Sequence, residues 1–387
     1  MAGMRAYLDY NASAPLLAAA REAMVAALDV AANPSSVHAE GRAARRLIET
    51  ARRDVAELVK AKAGHVVFTS GATEAASTLL TPDWRMGRGI IRMSHLYICE
   101  ADHPCLLNGG SFPASQVMRI GVDANGIVDL EAMANALAAH DKAAGLPLVA
   151  IHAANNETGV IQPVDRIAEI VKSVGGVLVV DAVQAAGRIS IDISAGYADY
   201  LILSSHKIGG PKGVGAIVAA ADLMMPKPLI NGGGQEKGHR GGTENLPGIA
   251  GFGAAAREAL IGLEAIDALR RRRDEIEAIV KMLIPDVEIF GTGAPRLANT
   301  TFFAIPGAKA ETVQIAFDLA GVALSAGSAC SSGKVGPSHV LKAMGQGDSL
   351  GALRVSIGAA TGAQDIEAFR LALAEIAARR VGKEKAA

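Results

Sequence analysis

The sequence has little that would tie it to nucleic acid, to a membrane or to an oxidising environment. Its 387 residues carry 38 Lys and Arg against 39 Asp and Glu, a formal net charge of -1. No field of one sign is therefore available for a phosphate backbone or an acidic lipid surface. Three cysteines, Cys99, Cys105 and Cys330, are too few and too unevenly spaced for a disulfide framework. Their odd number suits a reducing compartment and points to the cytoplasm. Apolar runs such as 176–180 and 215–221 fall far short of the ~20 residues a membrane-spanning helix needs. The first ten residues lack the apolar core of a secretory leader. Neither Gly333-Lys334 nor Gly382-Lys383 is followed by Ser or Thr, and no Gly-x-Gly-x-x-Gly follows a strand, so the usual support for nucleotide binding is missing. His-Glu-x-x-His and Cys-x-x-Cys are also missing. Cys99, His103 and Cys105 could offer three zinc ligands, but no companion stands at finger spacing, and no metal is expected.

What the chain does have is an alternation of short β-branched runs with Ala-rich helical stretches, the pattern of an α/β fold with a mostly parallel sheet. Strands are expected at Val66–Thr69, Leu148–His152, Val177–Asp181, Tyr200–Ser204 and Gly215–Ala219, and helices at Ala39–Val59, Leu130–Ala139 and Val164–Ser173. Residues 251–283 read as one long amphipathic helix, bent at most once. Its basic run Arg270–Arg273 is followed by Asp274, Glu275 and Glu277, as on a solvated face. After Pro285 shorter strands and a terminal helix at Asp365–Ala378 suggest a smaller α+β domain. The expected division is a large domain over 15–255 and a small one made of 1–14 and 256–387.

Three segments could carry chemistry. Lys207 follows an apolar strand into the Gly-rich turn 208–213, at the strand edge where open α/β folds place ligands, and a lysine there can become a Schiff-base nucleophile. Ser70-Gly-Ala-Thr-Glu74 runs from a strand into a helix start, whose free N–H groups suit a phosphate, although a plain helix cap would have the same sequence. Asp181 ends a buried strand, and a carboxylate there calls for a cation such as a protonated pyridine nitrogen. Together they describe a site for pyridoxal 5'-phosphate.

At this point the chain resembles the NifS-like cysteine desulfurases, within the class V aminotransferase-like, fold-type I group of pyridoxal-phosphate enzymes. The likeness covers nearly the whole length through Tyr7-Leu-Asp-Tyr-Asn11, Asn33-Pro-Ser-Ser-Val-His38, Ser70-Gly-Ala-Thr-Glu74, Asn155-Asn-Glu-Thr-Gly159, Ser205-His-Lys207, Gly241-Gly-Thr-Glu-Asn245 and Ser325-Ala-Gly-Ser-Ala-Cys-Ser-Ser332. The stretch 80–89 looks shortened by comparison. The resemblance implies that Lys207 carries the cofactor, that Asp181 faces its ring nitrogen, that His103 stacks on the ring as a candidate acid/base, and that Gln184 and Asn156 lie near its oxygen and the substrate. It implies phosphate contacts from Ala72, Thr73, Ser204 and His206, with Thr243 arriving from the other subunit of a homodimer. Arg354 would bind the substrate carboxylate.

Cys330 would take the sulfur as a persulfide. Its segment 325–333 holds four serines and two glycines, too polar for a core strand, whereas Cys105 reads as packing and Cys99 as strand interior. The implied reaction turns L-cysteine into L-alanine and passes sulfur to an acceptor protein, such as an iron–sulfur scaffold or a sulfur relay protein for tRNA thiolation. No nucleic acid is contacted directly, and no membrane. Selenocysteine lyases and aminotransferases share this fold, but transamination needs no thiol. Intact Lys207, Asp181 and Cys330 speak against a sulfur carrier without turnover.

Overall fold

A computed structural model of the chain describes residues 5–221, 224–327, 338–347 and 351–384. The first half contains β1 (Ala6–Tyr7), α1 (Ala18–Leu28), α2 (Ala39–Leu58), β2 (Val66–Thr69), α3 (Ala72–Leu79), β3 (Asp83–Met86), β4 (Gly89–Cys99), α4 (Pro104–Leu107), β5 (Val117–Ile120), α5 (Leu130–Ala138) and β6 (Leu146–His152). Then come α6 (Val164–Ser173), β7 (Val177–Asp181), β8 (Tyr200–Ser204), β9 (Gly215–Ala219), β10 (Met225–Pro226), α7 (Leu246–Gly262) and α8 (Ile266–Leu283). The last part holds β11 (Glu288–Ile289), β12 (Thr300–Ala304), α9 (Ala310–Leu319), β13 (Val322–Ala323), β14 (Ser325–Ala326), α10 (His339–Ala343), β15 (Leu353–Ser356) and α11 (Ala363–Glu384).

The large sheet runs β10-β3-β4-β6-β7-β8-β9-β2, with β5 paired to β4. β5, β4, β6, β7 and β8 are mutually parallel, while β9 is antiparallel to β8, and β2 to β9. Two reversals return β2 to the direction of β8, so β2, β4, β6, β7 and β8 all end at one edge. Their central residues are apolar throughout because helices cover both faces. On one face α2 packs Ala44, Ile48, Ala51 and Val55, spaced to share one side of the helix, together with α6 and α7. On the other face Ala75, Leu79 and Leu106 of α3 and α4 meet Trp84, Leu96 and Ile202. A four-stranded antiparallel sheet, β11-β12-β15-β14, forms a second layer with α8, α9 and α11 around Phe303, Phe317, Val355 and Phe369.

Three elements depart from the sequence reading. The expected helix over 251–283 begins earlier and is interrupted. Asn245 caps the Gly248 N–H at 3.1 Å beside Pro247, and a 3-10 turn at 263–265 separates α7 from α8. Arg273 is not on a solvated face: it is buried, donates to the Leu297 carbonyl and pairs with Asp274. The shortened stretch 80–89 forms a hairpin in which β3 pairs antiparallel with the start of β4. Among the described residues no helix is long and apolar enough to cross a membrane.

Candidate active site

At the shared strand edge lies a cavity of about 540 Å³, within the ordinary range for small-molecule sites. Lys207 enters it from the 3-10 turn after β8, and its Nζ donates to the carbonyls of Asn11 at 2.6 Å and Ala12 at 3.0 Å. The neighbouring strand β7 ends in Asp181, side by side with β8. From β2 the chain turns at Gly71 into α3, whose cap has no side chain, so that the N–H groups of Ala72 and Thr73 meet the cavity without a capping oxygen. The turn depends on close approach by β9: a Cβ on Gly215 would stand 2.6 Å from the Gly71 backbone. Glu236 fixes the same corner, taking both Arg52 nitrogens at 2.6 and 2.8 Å and the Phe68 N–H at 2.9 Å.

His103 caps α4 and lines the cavity, as do Asn156, Gln184, Ser204 and His206. Two expected residues lie elsewhere. Thr243 is exposed and borders a separate 210 Å³ hollow beside Ser70 and Gly213. Arg354 is fully buried, its guanidinium donating to the Asn156 carbonyl at 3.0 Å and to Asp9 at 2.8 Å. Cys330 lies outside the described residues.

Burial governs the charges. It pushes the Asp181 carboxyl up to about 6, against the opposing Val183 N–H at 3.0 Å. His103 is lowered to about 4 by burial and then by Lys207 and His339, and His206 likewise to about 4 by burial, Lys207 and Lys212. Both rings are therefore neutral at physiological pH. The Cys105 thiol is pushed up by burial and by Asp181, whose Oδ2 is 4.0 Å from its Sγ, and burial raises Cys99 as well. Cys105 is thus more than packing, since it lines the cavity against Asp181. The three zinc-like residues do not gather: Cys99 sits with Asp102 and His152 instead.

Several residues here carried no expectation from sequence. Asn11 is the junction, its carbonyl receiving both Lys207 and Gln184 Nε2 while its side chain donates to Thr300. Its place in the Tyr7–Asn11 motif was the available signal. Arg188, buried, donates to Gln184 Oε1 and to the Lys207 carbonyl, and burial lowers it to about 10. Glu157 is buried and accepts from Ser338 Oγ at 2.5 Å; burial raises its carboxyl from its ordinary 4.5 to about 7, with Ser338 and Arg354 opposing. A raised folded value means stability that is full below about pH 4.5 and lost as pH climbs to about 7. At about 1.4 kcal/mol per pH unit this approaches ~3 kcal/mol. Urea unfolding of wild type and Glu157→Gln at about pH 5 and about pH 8 checks it: the variant should gain on the wild type at the higher pH, and a constant difference would refute the assignment.

The chain belongs to the aminotransferase class-V family, whose model matches residues 6–369, and within that family it groups with the NifS-like cysteine desulfurases. It is 40% identical over 350 residues to a cysteine desulfurase of Cereibacter sphaeroides, covering 88% of this chain and 87% of the relative. An IscS-like cysteine desulfurase of Mycobacterium tuberculosis is 35% identical over 372 residues, 94% of each chain. Among solved structures, a NifS-like protein from Rickettsia africae superposes with a TM-score of 0.85 at 33% identity, covering 96% of this chain and 99% of that one. The resemblance carried by the seven motifs holds for the family and for the mostly parallel α/β fold, and the chain is an enzyme.

Proposed function

We propose that the enzyme is a pyridoxal-phosphate-dependent cysteine desulfurase, converting L-cysteine to L-alanine and leaving the sulfur as a persulfide on Cys330. The observation that supports the cofactor best is Asp181. Its carboxylate is buried, one oxygen takes the Val183 N–H, and the other has a thiol at 4.0 Å where a strong donor belongs. A protonated pyridine nitrogen supplies that donor. The uncapped N–H groups of Ala72 and Thr73, with Ser204 and His206, suit the phosphate, and the neutral His103 ring suits stacking. When bound, the cofactor supplies an electron sink for the substrate's Cα.

The protein's own groups do the rest. Lys207 Nζ takes the Cα proton and later returns one, while Asn11 and Ala12 hold it in place. The Cys330 thiolate attacks the sulfur of cysteine: a new S–S bond forms, the Cβ–S bond breaks, and its electron pair stays with the carbon skeleton, which is protonated to alanine. Arg354 binds the substrate carboxylate by exchanging part of its contact with Asp9. Both other thiols are pushed up by burial, which supports Cys330 as the nucleophile.

On this reading the enzyme is a cytoplasmic homodimer. Thr243, exposed beside Ser70, completes the phosphate site of the neighbouring subunit, and an iron–sulfur scaffold or sulfur relay protein accepts the persulfide sulfur. The two-domain division at 15–255 and at 1–14 with 256–387 is part of the same proposal. It is supported by the cluster that joins Ala6 and Leu8 to residues 276–373, although Phe290, Phe302, Leu341 and Ala352 pack with the larger body.

Asp181→Ala should cost more than Gln184→Ala, because only Asp181 supplies a charge to the ring nitrogen and Gln184 supplies a neutral hydrogen bond. A loss in kcat/KM about tenfold greater for Asp181→Ala is expected, and equal losses would contradict the placement. The function itself is tested by mass spectrometry of the protein after L-cysteine without reductant. One added sulfur on the peptide bearing Cys330 is expected, and sulfur on Cys105 or on no cysteine would refute the reading.

A further inference from the structure

Asp102, His152 and Gln162 form a buried hydrogen-bonded row that reaches the cavity wall at His152. The orientation of the Gln162 amide is fixed from outside the row: its Oε1 accepts the Val128 N–H at 3.0 Å, and its Nε2 donates to the Gly126 carbonyl at 2.7 Å. The nitrogen that faces His152 Nε2 at 3.1 Å is therefore a donor, and His152 Nε2 must accept. The other ring nitrogen, Nδ1, lies 2.5 Å from Asp102 Oδ1 and must donate to it. Both Asp102 carboxylate oxygens accept backbone N–H groups as well, Oδ1 that of His152 at 2.9 Å and Oδ2 that of Cys99 at 2.7 Å, while its backbone carbonyl accepts from His339 at 2.9 Å.

Cys99, Asp102 and His152 bring donor atoms within 4.8 Å of one another, as a metal site would. Both Asp102 oxygens already face N–H dipoles and His152 Nδ1 carries a proton, so the arrangement suits hydrogen bonding and not a cation.

His152 is the register neighbour of Asp181 across β6 and β7. A cationic imidazole there would compete with the cofactor for the Asp181 charge. We infer that the Asp102–His152–Gln162 row is a positioning device that holds His152 as a neutral, Nδ1-protonated ring, so that the Asp181 carboxylate is left to the cofactor's ring nitrogen. The inference rests on the cofactor reading given above. The other ionisable groups set around this ring are Cys99 at the end of β4, Asp102 and His103 in the turn that leads into α4, Asp181 on β7, Lys207 after β8 and His339 on α10. In this set Asp102 is the one that accepts from the ring.

The test has two arms. Nitrogen-15 NMR of histidine-labelled protein, with the signal assigned by His152→Gln, reads the tautomer directly in the cofactor-free protein. The neutral Nδ1-protonated form is expected from about pH 6 to about pH 8. An Nε2-protonated or cationic ring in that range overturns the inference, whether or not pyridoxal phosphate binds. The second arm is Gln162→Met, which removes the donor to Nε2 and lets the ring take a second proton. Affinity for pyridoxal phosphate should fall roughly tenfold relative to wild type at about pH 6 and recover at about pH 8. A merely structural role would lower affinity equally at both, and that result, or no loss at either, also overturns the inference. Wild-type protein that fails to bind pyridoxal phosphate at all refutes the cofactor reading instead, and the two failures are thereby distinguished. Should Gln162→Met not fold, the wild-type spectrum still decides.

Discussion

Lys207→Ala is expected to lose turnover of L-cysteine by more than about 10³-fold and to lose the yellow chromophore of the purified enzyme, while the fold survives. The physical reason for both halves is in the contacts. Lys207 is the lysine that directly follows β8 and is held by the Asn11 and Ala12 carbonyls, whereas Lys212, which also lines the cavity, enters from the far end of the Gly-rich turn. Its removal frees the Asn11 carbonyl, but Gln184 Nε2 still donates there at 3.0 Å. The bond from Arg188 to position 207 goes to the backbone carbonyl and is kept in the variant. Circular dichroism and thermal unfolding should therefore resemble the wild type. Activity retained at the wild-type level, or a chromophore that persists and still bleaches with borohydride, would contradict the assignment.

Cys330→Ser is expected to abolish sulfide release while leaving the cofactor half of the reaction intact. Serine at neutral pH is a far poorer nucleophile toward sulfur than a thiolate, so a loss of about 10³-fold or more is expected. Neither remaining cysteine can stand in. Cys99 is fully buried with its thiol raised by desolvation, and Cys105 faces Asp181 inside the cavity with its thiol also raised. The variant should still bind L-cysteine and show a spectral change on mixing, because Lys207 and Asp181 are untouched. Sulfide release at the wild-type rate would remove Cys330 from the mechanism and favour a lyase that needs no protein thiol.

Much of this is legible in the amino-acid sequence, for identifiable reasons. The strands β2, β7, β8 and β9 coincide with their expected ranges because each is a short apolar run ended by a turn or a polar residue, and α6 coincides because Val164, Ile167, Ala168 and Val171 repeat at helical spacing. The hairpin of β3 and β4 was not legible. Its pairing sets buried Trp84 opposite Ile91 but leaves Ile90, opposite Arg85, and Met86, opposite Gly89, exposed, so the burial does not follow a simple apolar pattern. The break between α7 and α8 was also hidden, since a 3-10 turn keeps the amphipathic period nearly continuous.

At the site, residues whose identity dictates their chemistry stood out: Lys207, Asp181 and the Ser70–Glu74 turn. The residues that hold them did not. Asn11 acts through its backbone carbonyl, which any residue possesses, and Asp102, His152 and Gln162 meet across sequence separations of 50 and 10 residues. Only the alignment of strand ends brings them together.

The measurement that bears most directly on the central claim is a single incubation of the purified protein with L-cysteine and a thiol reductant, in which sulfide and alanine are quantified together. Desulfuration that leaves the carbon skeleton as alanine requires the two to appear in equal amounts, turnover after turnover, with no pyruvate or ammonia formed. Sulfide accompanied by pyruvate and ammonia would mean elimination in place of thiol attack. Neither product, from protein loaded with pyridoxal phosphate, would mean that this chain does not desulfurate cysteine.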